Sequence, residues 1–190
     1  MKRLSSEAIR YGLQPTPLVR RFAPTIADAA AGNPLIDVAC GSGRNALTFA
    51  QLGCRVICVD WDLSSLRTHI KQLRRTGLRK ASVGLSLRQL DLVNDHWPFA
   101  ACCAGGIINV HFLLPALFPA FTRSLSPGGY LLLETAPGCG GNYLELPKAG
   151  ELRSAFEPAF EFEFYQERKV GPPGFDAVTV KLLAKKRLMD

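Results

Sequence analysis

The sequence lacks the segments that direct a chain into or across a membrane. Its first residues, MKRLSSEAIRYG, are basic but contain no apolar run of signal-peptide length. The longest apolar stretch, residues 105–121, is interrupted by two prolines, an asparagine and a histidine, which argues against a membrane-spanning helix. We therefore expect a soluble, cytoplasmic protein without a membrane partner.

Cysteine and histidine are present, but their spacing makes no recognisable metal or redox site. None of the six cysteines forms a C-x-x-C pair, and the three histidines do not complete a zinc pattern. We expect free, buried thiols in a reducing compartment and no bound metal. A disulfide framework or a metal site is the less favoured alternative.

Acidic charge is scarce relative to basic charge. The formal net charge is +7, and lysine and arginine concentrate in residues 1–21, 62–80 and 181–187. This balance permits a nucleic acid or another anionic partner. The alternative for residues 62–80 is an ordinary solvated helix face.

The chain is too short for two large domains, and it has neither internal repeats nor low-complexity segments. Its 190 residues, 47% hydrophobic and 21% charged, suit one globular domain. Residues 1–32 carry only helical patterns. We expect a helical N-terminal extension there, followed by a single domain over residues 33–190.

Short apolar runs and helical patterns alternate along that domain. Strands are predicted at residues 35–39, 54–59, 85–90, 106–110, 130–135, 160–168 and 177–185. Helices are predicted at residues 44–52, 63–76, 115–125 and 149–156. A Gly-Pro-Pro-Gly turn joins the last two strands, which suits an antiparallel pair. The prediction is an α/β fold: a doubly wound, Rossmann-like, mainly parallel sheet of seven strands that ends in an antiparallel hairpin.

The most informative stretch is PLIDVACGSGRNA, residues 34–46. A buried strand, a glycine turn and a helix start bring backbone N–H groups and a helix N-terminus to a ligand. Residues 41–46 match the dinucleotide pattern G-x-G-x-x-[GA], with Asp60 at the acidic position about 20 residues further on. Three features argue against a dehydrogenase: Asp37 lies inside the strand, no catalytic domain follows, and a hairpin replaces further βα units.

Four motifs, in order, resemble the class I S-adenosylmethionine-dependent methyltransferases over about residues 33–186. DVACGSGRNA resembles the acid-x-G-x-G-x-G motif, with Ala39 at its first glycine position. VDWD, QLDL and LSPGGYLLLE resemble the second motif, the third motif and the region along the fifth strand. The GSGRNAL variant and the compact size are most similar to small bacterial methyltransferases of the tellurite-resistance type. The resemblance implies S-adenosyl-L-methionine as the cofactor and methyl transfer as the reaction.

The resemblance also implies a set of cofactor-binding residues. They are Asp37, Ala39, Cys40, Gly41, Gly43, Asn45, Asp60, Trp61, Asp91, Leu92 and Asn109. Asp37 would face the cofactor ammonium, directly or through water, and Asp60 would accept hydrogen bonds from both ribose hydroxyls. Asn109, at the end of strand four, would border the transferable methyl group.

The adenine end of the cofactor has three expected partners. Trp61 would pack on the base, with plain core packing as the alternative. Asp91 would accept the N6 hydrogens while the Leu92 N–H meets a ring nitrogen. For Asp60 and Asp91 the alternative role is a helix cap or an exposed turn acid.

The sequence departs from the family pattern at two positions. Ala39 replaces a glycine, which we expect to be tolerated with a negative φ. The acid that many members carry at the start of strand four is missing from residues 100–104.

Methyl transfer from a sulfonium depends mainly on positioning and desolvation, and a base is needed only for a protonated oxygen or nitrogen. His111 is the best candidate base, with a bond to a nearby backbone carbonyl as its alternative role. Glu134 is the second candidate, with a structural ion pair as the alternative. Tyr11, Asn142 and Tyr143 are the residues expected to line the acceptor pocket.

The acceptor is the least determined part of the prediction. No N-P-P-Y motif follows strand four, which weakens the case for amino-methylation of adenine or glutamine, and the Phe-Leu-Leu run at residues 112–114 favours an apolar or small acceptor. A small-molecule methyltransferase is therefore the leading hypothesis. An RNA methyltransferase and a non-catalytic S-adenosylmethionine-binding protein are the alternatives.

Overall fold

A single seven-stranded sheet organises the chain. The computed structural model describes residues 14–75, 83–138 and 141–188, so the helical piece expected before residue 14, with Tyr11, lies outside the described residues. The strands are β1 Leu35–Val38, β2 Val56–Asp60, β3 Leu85–Gln89, β4 Ala104–Val110, β5 Leu125–Glu134, β6 Phe160–Val170 and β7 Ala177–Lys186. Their order across the sheet is β3-β2-β1-β4-β5-β7-β6.

Five α-helices cover the two faces of this sheet. They are α1 Pro17–Ala29, α2 Arg44–Gln51, α3 Ser64–Arg75, α4 Phe118–Ser124 and α5 Glu151–Phe156, and 3₁₀ turns occupy Pro115–Leu117 and Asn142–Glu145. Buried side chains of α4 and α5 share one core cluster with the sheet, and those of α1, α2 and α3 share another. No helix in the described part of the chain is both long and apolar enough to cross a membrane.

The strand directions confirm the predicted architecture. Neighbouring strands run parallel from β3 through β5, and β7 pairs antiparallel with both β5 and β6. The chain order reverses between β1 and β4, which lie side by side. Open parallel sheets bind ligands outside the carboxyl ends of the strands at such a reversal. The fold therefore marks the carboxyl ends of β1 and β4 as the site to inspect.

Helix α1, ahead of β1, packs onto the sheet. Thr16 caps α1 by accepting the Val19 N–H, and Pro17 occupies the first turn, where its missing N–H costs nothing. Buried Val19 and Ile26 belong to the core cluster that also holds β1 and β5 side chains. This part of the segment that the sequence predicts to be helical therefore forms a helix, and its buried face contributes to the core cluster shared with β1 and β5.

The fifth strand begins earlier than the sequence predicts. It was expected from residue 130, but β5 already begins at Leu125, which pairs with Ala104. The register then shifts, so that Gly106 pairs with Tyr130. The Pro-Gly-Gly segment is accordingly an irregularity inside the strand, where Gly128 adopts a φ of 77°.

Candidate active site

The loop between β1 and α2 is shaped by three residues in the left-handed region. Ala39, Gly41 and Gly43 have φ values of 51°, 52° and 78°. A Cβ atom on Gly43 would lie 2.4 Å from Cδ1 of Leu66, so this glycine lets the loop pack against α3. A Cβ atom on Gly41 would meet no atom within 4 Å, so the loop faces open space there. The loop therefore packs against α3 at Gly43 and is open at Gly41, where a ligand can approach its backbone.

The φ of Ala39 is positive, so the negative φ that would make the replacement of glycine tolerable is not present. Its Cβ makes the left-handed conformation unfavourable by about 1–2 kcal/mol, and glycine avoids this cost. Because glycine also gains freedom in the unfolded chain, we expect Ala39→Gly to raise the free energy of unfolding by about 0.5–1 kcal/mol. Chemical denaturation measures the difference. Ala50→Gly, in the last turn of helix α2, is the control and should lower stability, because glycine is less favourable than alanine in a helix by up to about 1 kcal/mol.

Asp37 ties β1 to the start of α2. Its carboxyl is buried, and Oδ2 accepts the Ala46 N–H at 3.0 Å. Burial raises the pKa of Asp37 to about 7, with a smaller contribution from the negative charge of Asp60, while the Ala46 hydrogen bond opposes the shift. A cation bound beside this carboxyl would favour its ionised form.

This shift predicts a pH-dependent stability. Between pH 3.8, the ordinary pKa, and about 7, folded Asp37 keeps a proton that the unfolded chain releases, so raising the pH favours unfolding. Relative to Asp37→Asn, the wild-type free energy of unfolding should fall by on the order of 3 kcal/mol between about pH 5 and pH 8. Urea denaturation at both pH values measures this. If the free energy of unfolding changed by the same amount with pH in both proteins, the prediction would be contradicted.

Asp60 holds the glycine loop against the end of β2. Its Oδ2 accepts the Gly41 N–H at 2.7 Å, and its Oδ1 accepts the Asp62 N–H at 3.1 Å. An ionised carboxylate has about four lone-pair sites, so two remain for a ligand. The side chain is buried at the strand tip. The local role as a turn acid is therefore present, and it leaves room for the expected ribose contact.

Asn109 is the most informative polar residue of the site. It is 1% exposed and lies at the end of β4, in register with Val38 of β1. Neither its Oδ1 nor its Nδ2 finds a hydrogen-bond partner among the described residues. A buried amide without partners costs about 1–3 kcal/mol for each unpaired group. A ligand with donors and acceptors at the reversal of the sheet would remove this cost, and the cofactor implied by the motifs is such a ligand.

The expected adenine partners lie on the loops after β2 and β3. Trp61 is 74% exposed, so the alternative of core packing is wrong and the indole is accessible. Asp91 accepts hydrogen bonds from the Val93 and Asn94 backbones and from the Asn94 side chain, as a turn acid does. Leu92 is buried beside it. In the structure Asp91 has the local role of a turn acid after β3, and its contact with the adenine stays a prediction.

Two expected cofactor residues make contacts within the protein. The Oδ1 of Asn45 accepts the Thr16 N–H at 3.3 Å, which joins α2 to the start of α1. Cys40 is buried, and a hydrogen bond with Cys58, together with burial, raises the pKa of its thiol. Both side chains support the glycine loop from the protein side.

His111 follows β4 and adopts a φ of 62°. Its N–H donates to the backbone oxygen of Glu134 at 2.7 Å, and its ring Nδ1 lies 3.5 Å from Nη2 of Arg44. Desolvation lowers the pKa of His111, and the charges of Arg44 and Lys181 add to this, while Glu134 opposes it. A neutral imidazole is the form that can accept a proton.

Glu134 ends β5 in a buried position. Its Oε1 forms an ion pair with Nζ of Lys181 at 2.8 Å, so the structural role considered from the sequence is present. Its Oε2 is buried and has no hydrogen-bond partner in the described part of the chain. One carboxylate oxygen of Glu134 is therefore paired with Lys181, and the other has no partner among the described residues.

His111 and Glu134 border a cavity of about 230 Å³ at the carboxyl end of β5. The residues that line it are His111, Glu134, Thr135, Ala136, Pro137, Gly138, Gln166, Arg168, Thr179, Val180 and Lys181. Tyr143, expected in the acceptor pocket, is not among them. Its ring packs edge-on against Phe175 at 5.0 Å.

The polar residues contributed by the hairpin were missed from the sequence. Gln166 pairs with Lys181 and Arg168 pairs with Thr179 across β6 and β7. A signal for them existed, because residues two apart on a strand share a face. To use this signal, one must know the register of the hairpin and the position of β7 beside β5, and no sequence motif gives either.

Comparisons with known proteins agree with this geometry. A family model described as a methyltransferase domain matches residues 35–129, half of the chain. No curated protein matches the sequence.

Several solved structures share the fold at low sequence identity. TehB from Haemophilus influenzae has a TM-score of 0.67 at 18% identity, over 95% of this chain and 65% of TehB. A SAM-dependent methyltransferase from Methanosarcina mazei has a TM-score of 0.64 at 17% identity, over 93% of this chain and 100% of that one. Geranyl diphosphate C-methyltransferase from Streptomyces coelicolor A3(2), in complex with S-adenosyl-L-homocysteine, has a TM-score of 0.59 at 15% identity, over 89% of this chain and 80% of that one.

The order of the motifs, the strand reversal beside Asn109 and the match over half of the chain lead to one family. The predicted methyltransferase fold is confirmed by the seven-stranded sheet and by these structural neighbours. The chain belongs to the methyltransferase domain family and is an S-adenosyl-L-methionine-dependent methyltransferase of class I.

Proposed function

We propose that this methyltransferase acts on a small-molecule acceptor that binds in the cavity beside His111 and Glu134. The observation that carries the proposal is the place of this cavity. It opens at the carboxyl ends of β4 and β5, where Asn109 pairs with Leu133, the residue before Glu134. A volume of about 230 Å³ suits a small metabolite and excludes a folded macromolecule from the cavity itself.

The cofactor-facing residues would hold the two ends of S-adenosyl-L-methionine. Asp37 and the backbone of residues 39–43 would face its amino-acid end, and Asp60 would accept from the ribose hydroxyls. Trp61, Asp91 and Leu92 would surround the adenine. The cofactor supplies a methyl group on a positively charged sulfur, which is a good leaving group. The contribution of the protein is then to position the acceptor and to exclude water.

Asn109 and His111 would face the reacting end of the site. The unpartnered amide of Asn109 gives it both a donor and an acceptor for a ligand at the reversal of the sheet. His111, with its lowered pKa, is the base that we propose for an acceptor that carries a proton on oxygen or nitrogen.

The basic surface offers weaker support for an RNA acceptor. The exposed cations of helix α3 are Arg67, Lys71, Arg74 and Arg75. This helix joins β2 to β3 at one edge of the sheet, whereas the cavity involves β5, β6 and β7 near the other edge. The cations of α3 therefore do not line the cavity. We also propose a cytoplasmic location, which fits the free thiols of the described cysteines.

The decisive experiment follows a labelled methyl group from S-adenosyl-L-methionine. The protein is incubated with a metabolite extract in one reaction and with total RNA in another, and the labelled products are separated by size. We expect label in the small-molecule fraction of the first reaction. Label in RNA, with loss of that signal when Arg74 and Arg75 are both changed to Glu, would favour the RNA alternative. Cofactor binding without label in either reaction would favour the non-catalytic alternative.

A further inference from the structure

We propose that the acceptor is a small anion, a carboxylate or a phosphate, that also carries a hydroxyl or amino group. This inference rests on the proposed function, because it assigns the acceptor to the cavity beside Glu134. It comes from the charges and the unpaired atom that line the cavity, and two of these charges, Arg168 and Lys181, lie outside the four motifs.

The cavity has an excess of positive charge. Its lining contains two permanent cations, Arg168 and Lys181, and one carboxylate, Glu134. Lys181 and Glu134 form an ion pair at 2.8 Å and offset each other. Arg168 forms no ion pair within the described residues, and its side chain is exposed at the cavity. The guanidinium group binds carboxylates and phosphates through paired N–H donors, so Arg168 points to an anionic ligand.

Arg44 is a further cation close to the cavity, although it is not one of the lining residues. Its Nη2 lies 3.5 Å from Nδ1 of His111, which lines the cavity. Its positive charge contributes to the lowered pKa of His111. Arg44 and Arg168 therefore both favour negative charge on a ligand in the cavity.

Glu134 requires a hydrogen-bond donor on the ligand, in addition to the negative charge. Its side chain lines the cavity and is 6% exposed, and Oε2 is without a hydrogen-bond partner in the described residues. An ionised carboxylate oxygen only accepts hydrogen bonds, so the missing partner is a donor. A hydroxyl or amino group on the ligand is such a donor. A simple anion with no donor would leave Oε2 unpaired.

The groups are held on paired strands and not on a free loop. Gln166 pairs with Lys181, and Arg168 pairs with Thr179, in the antiparallel ladder of β6 and β7. Glu134 pairs with Lys181 in the ladder of β5 and β7. The anion-binding and donor-accepting groups thus have a fixed separation, which favours a ligand with both functions in one small molecule.

The test compares four probes that share one phenol ring. They are 3-hydroxybenzoate, 3-hydroxyphenyl phosphate, 3-hydroxybenzyl alcohol and 3-hydroxybenzylamine, and each is titrated into the protein saturated with S-adenosyl-L-homocysteine. Calorimetry gives the affinities. We expect at least one of the two anions to bind about tenfold or more tightly than the neutral and cationic probes, because a charge-assisted hydrogen bond contributes that much. The two anions distinguish a carboxylate from a phosphate site.

A pair of charge reversals tests the assignment to Arg168. Arg168→Glu should weaken binding of the preferred anion by about tenfold or more. Lys169→Glu makes the same change one residue along β6, at an exposed position outside the cavity lining, and should leave the affinity within about twofold. Binding of S-adenosyl-L-homocysteine should be unchanged in both variants, which serves as the check on folding.

The outcomes separate this inference from the proposed function. Equal affinity for all four probes, or equal losses in the two variants, would overturn the anionic acceptor. A labelled methyl product that does not bind to an anion exchanger would also overturn it while leaving small-molecule methylation in place. Charge-selective probe binding that depends on Arg168, without any labelled small product, would support the anion site and contradict the proposed function.

Discussion

Asp60→Ala is expected to weaken binding of S-adenosyl-L-homocysteine by about 100-fold or more. The substitution removes the acceptor proposed for the ribose hydroxyls, and each hydrogen bond to a charged group contributes about 1.5–3 kcal/mol. It also removes the 2.7 Å contact with the Gly41 N–H that holds the glycine loop. Both losses act on the same ligand. Isothermal titration calorimetry at a temperature where the variant is folded measures the effect.

Asp62→Ala is the matched control for this prediction. Asp62 is exposed and lies two residues along the chain, where its carboxylate accepts from the backbone and hydroxyl of Ser64 at the start of α3. Its loss should lower stability only slightly, because the side chain is exposed, and should leave the cofactor affinity almost unchanged. An Asp60→Ala variant with near wild-type affinity would remove Asp60 from the cofactor site.

Gly43→Ala is expected to lower the free energy of unfolding by about 2–3 kcal/mol. The new methyl group would lie 2.4 Å from Cδ1 of Leu66, which is fully buried and has little room to move. The φ of 78° adds the cost of a left-handed alanine, about 1–2 kcal/mol. The expected loss allows for partial relaxation of α3. Urea denaturation of both proteins gives the value.

Gly41→Ala should reduce stability less than Gly43→Ala does, and it should reduce cofactor affinity. Its φ of 52° carries the same backbone cost, but a Cβ atom there meets no protein atom within 4 Å. We therefore expect a stability loss of only about 1 kcal/mol. The methyl group would occupy the open side of the loop, where we propose that the cofactor binds, so the affinity for S-adenosyl-L-homocysteine should fall. If Gly43→Ala and Gly41→Ala both lowered stability but left the affinity for S-adenosyl-L-homocysteine unchanged, the loop would have no role in binding.

The glycine loop shows how far motif reasoning reaches. Asp37, the glycines and Asp60 lie within one stretch of chain and the next strand, and their roles depend on local geometry that the chain repeats wherever this pattern occurs. In the structure Asp37 and Asp60 accept hydrogen bonds from the Ala46 and Gly41 N–H groups, and their contacts with the cofactor stay predictions. Ala39 is the exception, because its φ depends on how the whole loop closes and not on its own preference.

Trp61 and Asn45 show the limit of the same reasoning. An apolar ring after a strand suits a core or a ligand equally, and only burial distinguishes them: Trp61 is 74% exposed. Asn45 was assigned to the cofactor through its place in the motif. Its Oδ1 accepts the Thr16 N–H, from a segment that approaches only in the folded chain.

The sequence alone determined the fold class, the order of strands and helices along the chain and the cofactor. The fold class and the order of elements follow from apolar periodicity and glycine turns, which act over a few residues. The cofactor follows from the resemblance of four short motifs to the methyltransferases. The tertiary structure alone decided the composition of the cavity beside His111 and Glu134. Arg168 and Lys181 meet Glu134 because β7 inserts between β5 and β6, a pairing of distant segments that depends on the packing of the whole sheet.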